Sequence, residues 1–478
     1  HSIQNAYSEV IRKAQHYVYI ENQFFITATG ENQNPIHNTI GAAIVDAVLR
    51  AAKEGRKFRI IIIIPAIPGF AGDLRDNAAA GTRAIMDYQY KSICRGEHSI
   101  FEQIRKEGVD PKEHIFFFNL RSYDRIKRTK ALVTAEEKSG VQYRQVQRAE
   151  ALEIMREGVY GTNDSEENEN DSHMGKLSQQ KTNGKEEILN KALEDKKKFQ
   201  EAMPEEKSNI SYTVAHHAMN GPGSLQDEPW EEEDPESEIR NWIQEELYIH
   251  SKLLIADDRI VLCGSSNLND RSQLGNHDSE LSIVMEDTKM IPSTMDGQPF
   301  EAGYHAATLR RYLWREHMGL LPPCNLDAGD EINAQPPTVN PENEIYDNDE
   351  TWKYMEDPLG DDMWRDWNDQ ADKNTVLYRH LFHADPDDNS KSQIIDEIKC
   401  IAANKHTVKT FDDYDRYLPP RGVKAGHIFD QFMPAEDARQ KLGQIKGHLV
   451  RMPMEFLKDA EMAERGLAIN SWTESVYT

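Results

Sequence analysis

Six residues near the middle of the chain have the types and spacing needed to act on a phosphate group. They are His250, Lys252, Asp257, Gly264, Ser265 and Asn267. An imidazole can attack phosphorus or transfer a proton, and an ammonium group with neutral donors stabilises the charge that develops on phosphate oxygens. The pattern therefore indicates cleavage of a phosphodiester without a metal ion, and His250, Lys252 and Asp257 are its candidate catalytic residues.

Two neighbouring strands must position this motif. We predict strands at 247–256 and 259–264, with a turn between them at Asp257 and Asp258. In an extended strand His250 and Lys252 project from the same face, because side chains two residues apart share a face. The other face carries apolar residues that suit a core, namely Ile249, Leu253 and Ile255.

Four further positions extend or qualify this candidate site. Asp257 has an alternative role in the turn or in an ion pair. Gly264 is expected to let the backbone approach a phosphate closely, because glycine has no side chain. Glu21 and Gln23 alternate with Asn22 on another predicted strand and are candidates for lining the pocket. The alternative for both is a solvated position at the end of a strand.

The first quarter of the chain alternates between helical and strand patterns. A continuous apolar run at 58–64 predicts a strand that is buried on both faces. Further strands are predicted at 17–20 and 114–120, with helical spacing at 3–14, 40–51 and 81–107. These patterns predict an α/β fold in which helices cover both faces of a mostly parallel, mixed sheet, as in an α/β/α sandwich.

Changes in composition divide the chain into four regions. Residues 1–123 form the first part of a catalytic lobe, and 241–320 carry the phosphate motif. The intervening residues 124–240 begin basic, become acidic and polar at 161–172, and contain one helical pattern at 186–203; they predict a charged, partly disordered insertion. Residues 321–478 form an acidic C-terminal region that we expect to pack on the catalytic core.

The overall charge and the cysteines exclude some classes of function. The net charge of −26 and a pI near 5.1 argue against general binding of nucleic acid, which needs a basic surface. The four cysteines lie far apart, show no zinc-binding spacing and suit a reducing compartment. We therefore expect no metal site and a cytoplasmic location.

The motif and its surroundings resemble one enzyme family. Residues 250–267 read H-x-K-x4-D-x6-G-S-x-N, 20–25 read IENQFF, 269–272 read NDRS and 278–281 read DSEL. This combination resembles the eukaryotic phospholipases D, and the long insertion resembles the fungal members. The resemblance implies that the chain is the second half of the family's pseudo-symmetric catalytic fold.

The resemblance also implies a reaction and a role for each residue. The family hydrolyses phosphatidylcholine to phosphatidic acid and choline through a phosphohistidine, with transfer to alcohols as a side reaction. By similarity, His250 is the general acid/base. Lys252, Ser265 and Asn267 bind or orient the phosphate, and Glu280 corresponds to a carboxylate that hydrogen-bonds a catalytic histidine.

The chain carries one H-x-K-x4-D motif, whereas the family uses two in one active site. We therefore expect this chain to be the downstream part of a longer protein, inactive alone until the half with the first motif is supplied. The implied partners are that half and a phospholipid membrane surface, with peripheral association. No cofactor is expected for the chemistry. A phosphoinositide activator would act through regions upstream, and regulation by a small GTPase is left open.

Two alternatives stand beside this interpretation. One is another phosphodiesterase of the same superfamily, such as a nuclease or a phospholipid synthase. The acidic balance argues against a nuclease, and the IENQFF, NDRS and DSEL elements favour the lipase branch. The other is a non-catalytic or regulatory half-domain, against which the intact His250, Lys252 and Asn267 count.

Overall fold

A computed structural model gives the structure of most of the chain. The described residues are 2–31, 33–69, 73–126, 130–143, 145–149, 190–203, 238–321, 350–388, 408–418, 425–430, 432–462 and 478. They fall into two compact units, His1–Asp124 with Gln226–Thr478, and Arg125–Leu225.

Ten strands lie within these residues. They are β1 (Tyr17–Glu21), β2 (Arg59–Ile63), β3 (Ile115–Arg125), β4 (Trp242–Glu246), β5 (Leu253–Ala256), β6 (Ile260–Gly264), β7 (Ser282–Glu286), β8 (Met290–Met295), β9 (Gln298–Gly303) and β10 (Leu449–Arg451). Eight of them form one mixed sheet in the order β10-β3-β2-β1-β5-β6-β7, with β4 added beside β3, and β8 and β9 form a hairpin. Strands β1, β2 and β3 are parallel, while β5, β6 and β7 continue the sheet antiparallel from β1.

The helices of the larger unit flank this sheet or belong to its C-terminal part. They are α1 (Ser2–Lys13), α2 (Ile40–Lys53), α3 (Ala80–Ile93), α4 (Ile100–Lys106), α7 (Asp270–Gln273), α8 (Tyr304–His317), α9 (Glu350–Tyr354), α10 (Asp361–Phe382), α11 (Phe411–Tyr417) and α12 (Ala435–Leu442). The smaller unit contributes α5 (Lys130–Ser139) and α6, at 190–202. Among the described helices, none combines the length and apolar character needed to cross a bilayer.

Strands β1 and β2 are buried on both faces, as the apolar run at 58–64 predicted for its own strand. On one face, Val18, Ile20 and Ile62 pack in a core with α1 and α2. On the other face, alternate residues of the same strands pack around the rings of Trp314 and Trp367. The α/β fold with a mixed central sheet is therefore confirmed. Trp314 belongs to α8 and Trp367 to α10, so these two helices cover the second face of the sheet.

The predicted strand at 247–256 is wrong in its first half. Residues 247–252 belong to no strand, and only Leu253–Ala256 pairs as β5. The reason is topological: β4 pairs with β3, whereas β5 pairs with β1, so the chain must cross the ends of β2 and β1 between them. The backbone of 247–252 thus runs from β4, beside β3, to β5, beside β1, and this crossing carries His250 and Lys252.

The predicted helix at 81–107 is two helices. Helix α3 ends at Ile93 and α4 begins at Ile100. Gly96 between them has a φ of +81°, in the left-handed region that favours glycine. Ser99 caps α4 by accepting a hydrogen bond from the backbone N–H of Glu102. Gly96 and the N-cap Ser99 therefore cause the break, although the apolar spacing continues across both helices.

The smaller unit has an apolar cluster of its own. Ala135, Val141, Val146 and Phe199 are buried together there. The helix predicted at 186–203 appears at 190–202. The acidic segment at 161–172, for which we predicted disorder, lies outside the described residues.

Candidate active site

Three segments of the chain meet at one edge of the sheet, the edge formed by the end of β1, the start of β5 and the end of β6. The register places Leu253 opposite both Glu21 and Cys263. Since β5 is antiparallel to β1 and β6, the residues just before β5 adjoin those just after β1 and β6. This edge therefore gathers the crossing segment 247–252, the segment after Glu21 and the loop after Gly264. The first of these segments carries His250 and Lys252, the last carries Ser265 and Asn267, and the segment after Glu21 adds Gln23.

His250 presents its side chain to solvent. The residue is exposed, and its ring stacks on that of Tyr248 with centroids 5.3 Å apart and planes 21° apart. Within the described parts of the chain, no hydrogen bond reaches the His250 ring. The imidazole is therefore oriented by its neighbouring ring and is accessible to a substrate.

Lys252 is buried beside His250. Its residue is 7% exposed, and Nζ donates to Gln23 Oε1 at 3.2 Å and to the His250 carbonyl at 2.6 Å. Burial lowers the pKa of Lys252 to about 8, against the opposing effect of the Glu280 carboxylate. The side chain is thus still an ammonium group at neutral pH, as a phosphate ligand must be. Gln23, a predicted pocket residue, joins the site through this bond.

The loop after β6 holds the hydroxyl and the carboxamide of the motif. Ser265 is exposed, and its hydroxyl donates to Glu280, which also accepts from the Ser272 hydroxyl at 2.6 Å. Glu280 therefore bonds two serines of this loop and the helix that follows it, and its predicted bond to a catalytic histidine stays a prediction. Asn267 is half-buried, and its backbone carbonyl oxygen accepts from Gln273 Nε2 at 2.8 Å.

Gly264 is needed for a contact with the neighbouring strand, in addition to the predicted approach of its backbone to a phosphate, which stays a prediction. A Cβ at this position would lie 2.2 Å from the Leu281 carbonyl oxygen and 2.6 Å from the Ser282 Cα. Such distances are far inside van der Waals contact, so the close neighbour that requires glycine is strand β7. The glycine thus lets β6 and β7 pair at the point where the loop with Ser265 and Asn267 begins. We refer to residues 265–267 below as the phosphate loop.

Asn22 is a positioning residue that the motif analysis missed. Its Oδ1 accepts hydrogen bonds from the backbone N–H groups of Leu268 at 3.1 Å and Phe24 at 3.2 Å, and the residue is fully buried. It therefore ties the end of β1 to the loop that carries Ser265 and Asn267. The sequence did contain one indication of this role, since Asn22 is a polar residue between the two candidate pocket residues Glu21 and Gln23.

Glu21 lies beneath the motif in a buried network. Its carboxylate accepts from the Ser251 hydroxyl at 2.7 Å and lies 3.0 Å from His317 Nε2, and Tyr19 also donates to it. Burial by itself raises the pKa of Glu21, but the hydrogen bonds from His317, Tyr19 and Ser251 outweigh it, so the pKa is lowered. Glu21 therefore anchors Ser251, the residue between His250 and Lys252. His317 is a second contributor that the sequence analysis did not identify.

Asp257 lies at the opposite end of β5 from Lys252. Its carboxylate accepts from the backbone N–H groups of Gln15, His16 and Tyr17 at 2.7–2.9 Å, and its φ is +52°. Three roles were considered for Asp257: catalysis, a place in the turn, and an ion pair. This geometry supports the turn, since the side chain fixes where β1 begins. Five of the motif's six positions thus meet at the site edge, and Asp257 does not.

The arrangement can bind an anion and transfer one proton. An accessible imidazole, a buried ammonium group and the Ser265–Asn267 loop converge, which suits a phosphate with a leaving alcohol near His250. In the parts of the chain that the structure describes, no group of three or more His, Cys, Asp or Glu residues could hold a metal ion.

Comparisons with known proteins extend over the same residues. The chain matches the family model described as Phospholipase D at 1–162 and 201–342. Phospholipase D zeta 1 of Arabidopsis thaliana is 27% identical over 95% of this chain and 29% of the relative. Phospholipase D2 of Bos taurus is 26% identical over 96% of this chain and 31% of the relative. Phospholipase D1 of Schizosaccharomyces pombe is 31% identical over 67% of this chain and 15% of the relative. The chain spans less than a third of the length of these three relatives.

Proposed function

The chain belongs to the phospholipase D family, and from this premise we propose that it supplies the second of two half-sites in an enzyme that hydrolyses phosphatidylcholine to phosphatidic acid and choline. The observation that carries the proposal is the convergence at one sheet edge of the accessible His250, the buried Lys252 and the Ser265–Asn267 loop. Transfer of the phosphatidyl group to other alcohols is the proposed side reaction.

In the proposed reaction His250 is the general acid and then the general base. A histidine of the first motif attacks phosphorus, the phosphorus–oxygen bond to choline breaks, and His250 donates its proton to the departing oxygen. His250 then takes a proton from water as the water attacks phosphorus and releases the first histidine. Lys252 and Asn267 hold the phosphate oxygens throughout. One imidazole cannot serve as nucleophile and as leaving-group acid on the same phosphorus, so a second motif is required.

The proposed partners follow from this requirement and from the substrate. We propose that a segment carrying the first motif completes the site, and that the assembled protein works in the cytoplasm at a membrane surface. A phosphoinositide would activate it through regions outside this chain.

The proposal is tested by measuring choline release from phosphatidylcholine vesicles. We expect His250→Ala in the full-length protein to lower the rate by at least about a hundredfold, the lower range for a lost general acid/base. His98→Ala is the matched control, since His98 lies on the surface with its side chain 60% exposed. The present chain alone should release no choline, and adding the first-motif segment should restore release. Turnover by the chain alone, or by the His250→Ala protein at the control's rate, would contradict the proposal.

A further inference from the structure

The segment 247–252 belongs to no strand, so its position depends on individual contacts. Backbone hydrogen bonds hold its first and last residues. Between them, the Ser251 hydroxyl donates to Glu21 Oε2 at 2.7 Å. Ser251 stands between His250 and Lys252, so this bond fixes the backbone that joins the proposed acid/base to the proposed phosphate ligand.

The two oxygens of the Glu21 carboxylate have different donors. Oε2 accepts from Ser251, while Oε1 accepts from the Tyr19 hydroxyl and lies 3.0 Å from His317 Nε2. Since a carboxylate is planar, the donors that fix Oε1 also set the direction in which Oε2 faces Ser251. Glu21 and His317 are 6% and 4% exposed, so these bonds form away from bulk water.

His317 is the donor in its contact with Glu21. Burial by itself raises the pKa of Glu21, but the hydrogen bond from His317 and the other donors lower this pKa overall, so Glu21 is ionised at neutral pH. An ionised carboxylate only accepts hydrogen bonds, so Nε2 of His317 carries the proton between them. Without this donor, the buried carboxylate would lose both a partner for Oε1 and part of the support for its charge.

His317 is held in place by the C-terminal part of the fold. It is the last residue of α8, and its backbone carbonyl accepts from the N–H of His448 at 2.8 Å. Its ring meets that of Trp367 edge-on, with centroids 6.4 Å apart. His448 directly precedes β10, and Trp367 belongs to α10. These elements therefore hold the imidazole against Glu21 from outside the motif.

We propose that His317 is a positioning residue for the reaction, which fixes the backbone between His250 and Lys252 through Glu21 and Ser251. This inference rests on the proposed function and deepens it, because it adds a residue outside the motif to those that set the rate. A displacement of about 1 Å at a catalytic group can cost a hundredfold in rate, so loss of this support should lower kcat.

The test is a double-mutant cycle, measured as choline release by the full-length protein at saturating phosphatidylcholine. We expect His317→Leu and Ser251→Ala each to lower kcat about tenfold. In the Ser251→Ala protein, His317→Leu should lower kcat less than about twofold further, because the bond through which His317 acts is already absent. His317→Gln retains an N–H donor in place of Nε2 and should keep kcat within about threefold of the unaltered protein.

His114→Leu is the matched control for loss of a buried histidine. His114 is 9% exposed, and its Nδ1 lies 3.0 Å from the Phe58 carbonyl oxygen. It directly precedes β3, at the end of the parallel strands opposite the catalytic edge. His114→Leu should lower the midpoint of guanidinium unfolding and leave kcat of the folded protein unchanged.

Three outcomes would contradict the inference. If His317→Leu lowers kcat by the same factor with and without the Ser251 hydroxyl, the histidine acts independently of Ser251 and the positioning role alone is overturned. A loss of kcat as large in His317→Gln or in His114→Leu as in His317→Leu would overturn it as well, since the donor would not be the cause. Absence of choline release by the unaltered full-length protein would overturn the proposed function and this inference with it.

Discussion

At the scale of single residues, the charge of Lys252 links pH to the proposed reaction. Burial lowers its pKa to about 8, so the ammonium group loses its proton as pH rises through this value. We expect the rate of choline release by the full-length protein to fall above pH 8. Lys252→Arg should extend the remaining activity to higher pH, since a guanidinium keeps its proton. The measurement is a pH–rate profile, with the exposed Lys13→Arg as control.

Stability should change with pH in the opposite direction from activity. The pKa of Lys252 is lower in the folded protein than its ordinary value near 10.4. Between about pH 8 and 10.4 the unfolded chain therefore binds more protons at this residue, and the contribution of Lys252 to the free energy of unfolding rises with pH.

The activity prediction has its own contrary outcome. A rate of choline release that stays constant from pH 7 to 10 would show that the charge of Lys252 is not needed for the reaction.

At the scale of elements, the pairing of β6 with β7 determines where the phosphate loop begins. A Cβ on Gly264 would lie 2.2 Å from the Leu281 carbonyl oxygen, so Gly264→Ala must move the two strands apart. We expect a loss of about 1–3 kcal/mol in the free energy of unfolding, typical of overpacking. Choline release should fall by at least tenfold, because a displacement of about 1 Å at a catalytic group can cost a hundredfold. Denaturant unfolding and the vesicle assay measure the two effects.

A glycine outside the site separates these effects. Gly297 in the β8–β9 hairpin has a φ of +70°, and nothing lies within 4 Å of a Cβ built there. Gly297→Ala should therefore cost about 1–2 kcal/mol of backbone strain while preserving the activity of the folded protein. If Gly264→Ala retains full activity, the β6–β7 pairing does not position the loop.

At the scale of the whole molecule, one buried ion pair joins distant parts of the chain. Arg310 donates to both carboxylate oxygens of Asp258 at 2.6 and 2.8 Å, and both side chains are fully buried. Tyr17 donates to the same carboxylate, and Arg310 also donates to the Met355 carbonyl at 2.8 Å. The start of β1, the β5–β6 turn, α8 and α9 are thereby held together.

Removing one partner should therefore destabilise the fold. Arg310→Met leaves the Asp258 charge buried without its cation, and we expect a loss of about 3–5 kcal/mol in the free energy of unfolding. Adding Asp258→Asn should recover part of the loss, since it removes that charge. Arg365→Met is the matched control: Arg365 and Asp362 are 60% and 83% exposed, and exposed pairs contribute about 0–1 kcal/mol. Equal midpoints of guanidinium unfolding for the two arginine variants would contradict this assignment.

Much of the fold and the chemistry of the site was predictable from local pattern. The apolar run of β2, the turn at Asp257 and the core residues Ile249, Leu253 and Ile255 lie where predicted, because they depend on neighbours along the chain. The helix break at Gly96 and the missing first half of the strand at 247–256 were not predicted. The helix break depends on Gly96 and the N-cap Ser99, which lie inside a stretch whose apolar spacing is continuous. The shorter strand depends on pairing, because β4 pairs with β3 and β5 pairs with β1.

The sequence by itself determined the residue types of the site, their spacing and the family to which the chain belongs, since these are properties of order along the chain. Only the tertiary structure decided what each side chain contacts. It placed Glu280 on two serines, lowered the pKa of Lys252, and brought Glu21 to His317 and Asn22 to Leu268. These last two contacts join residues 296 and 246 positions apart. Burial and hydrogen bonding at such separations follow from strand order, which no local pattern specifies.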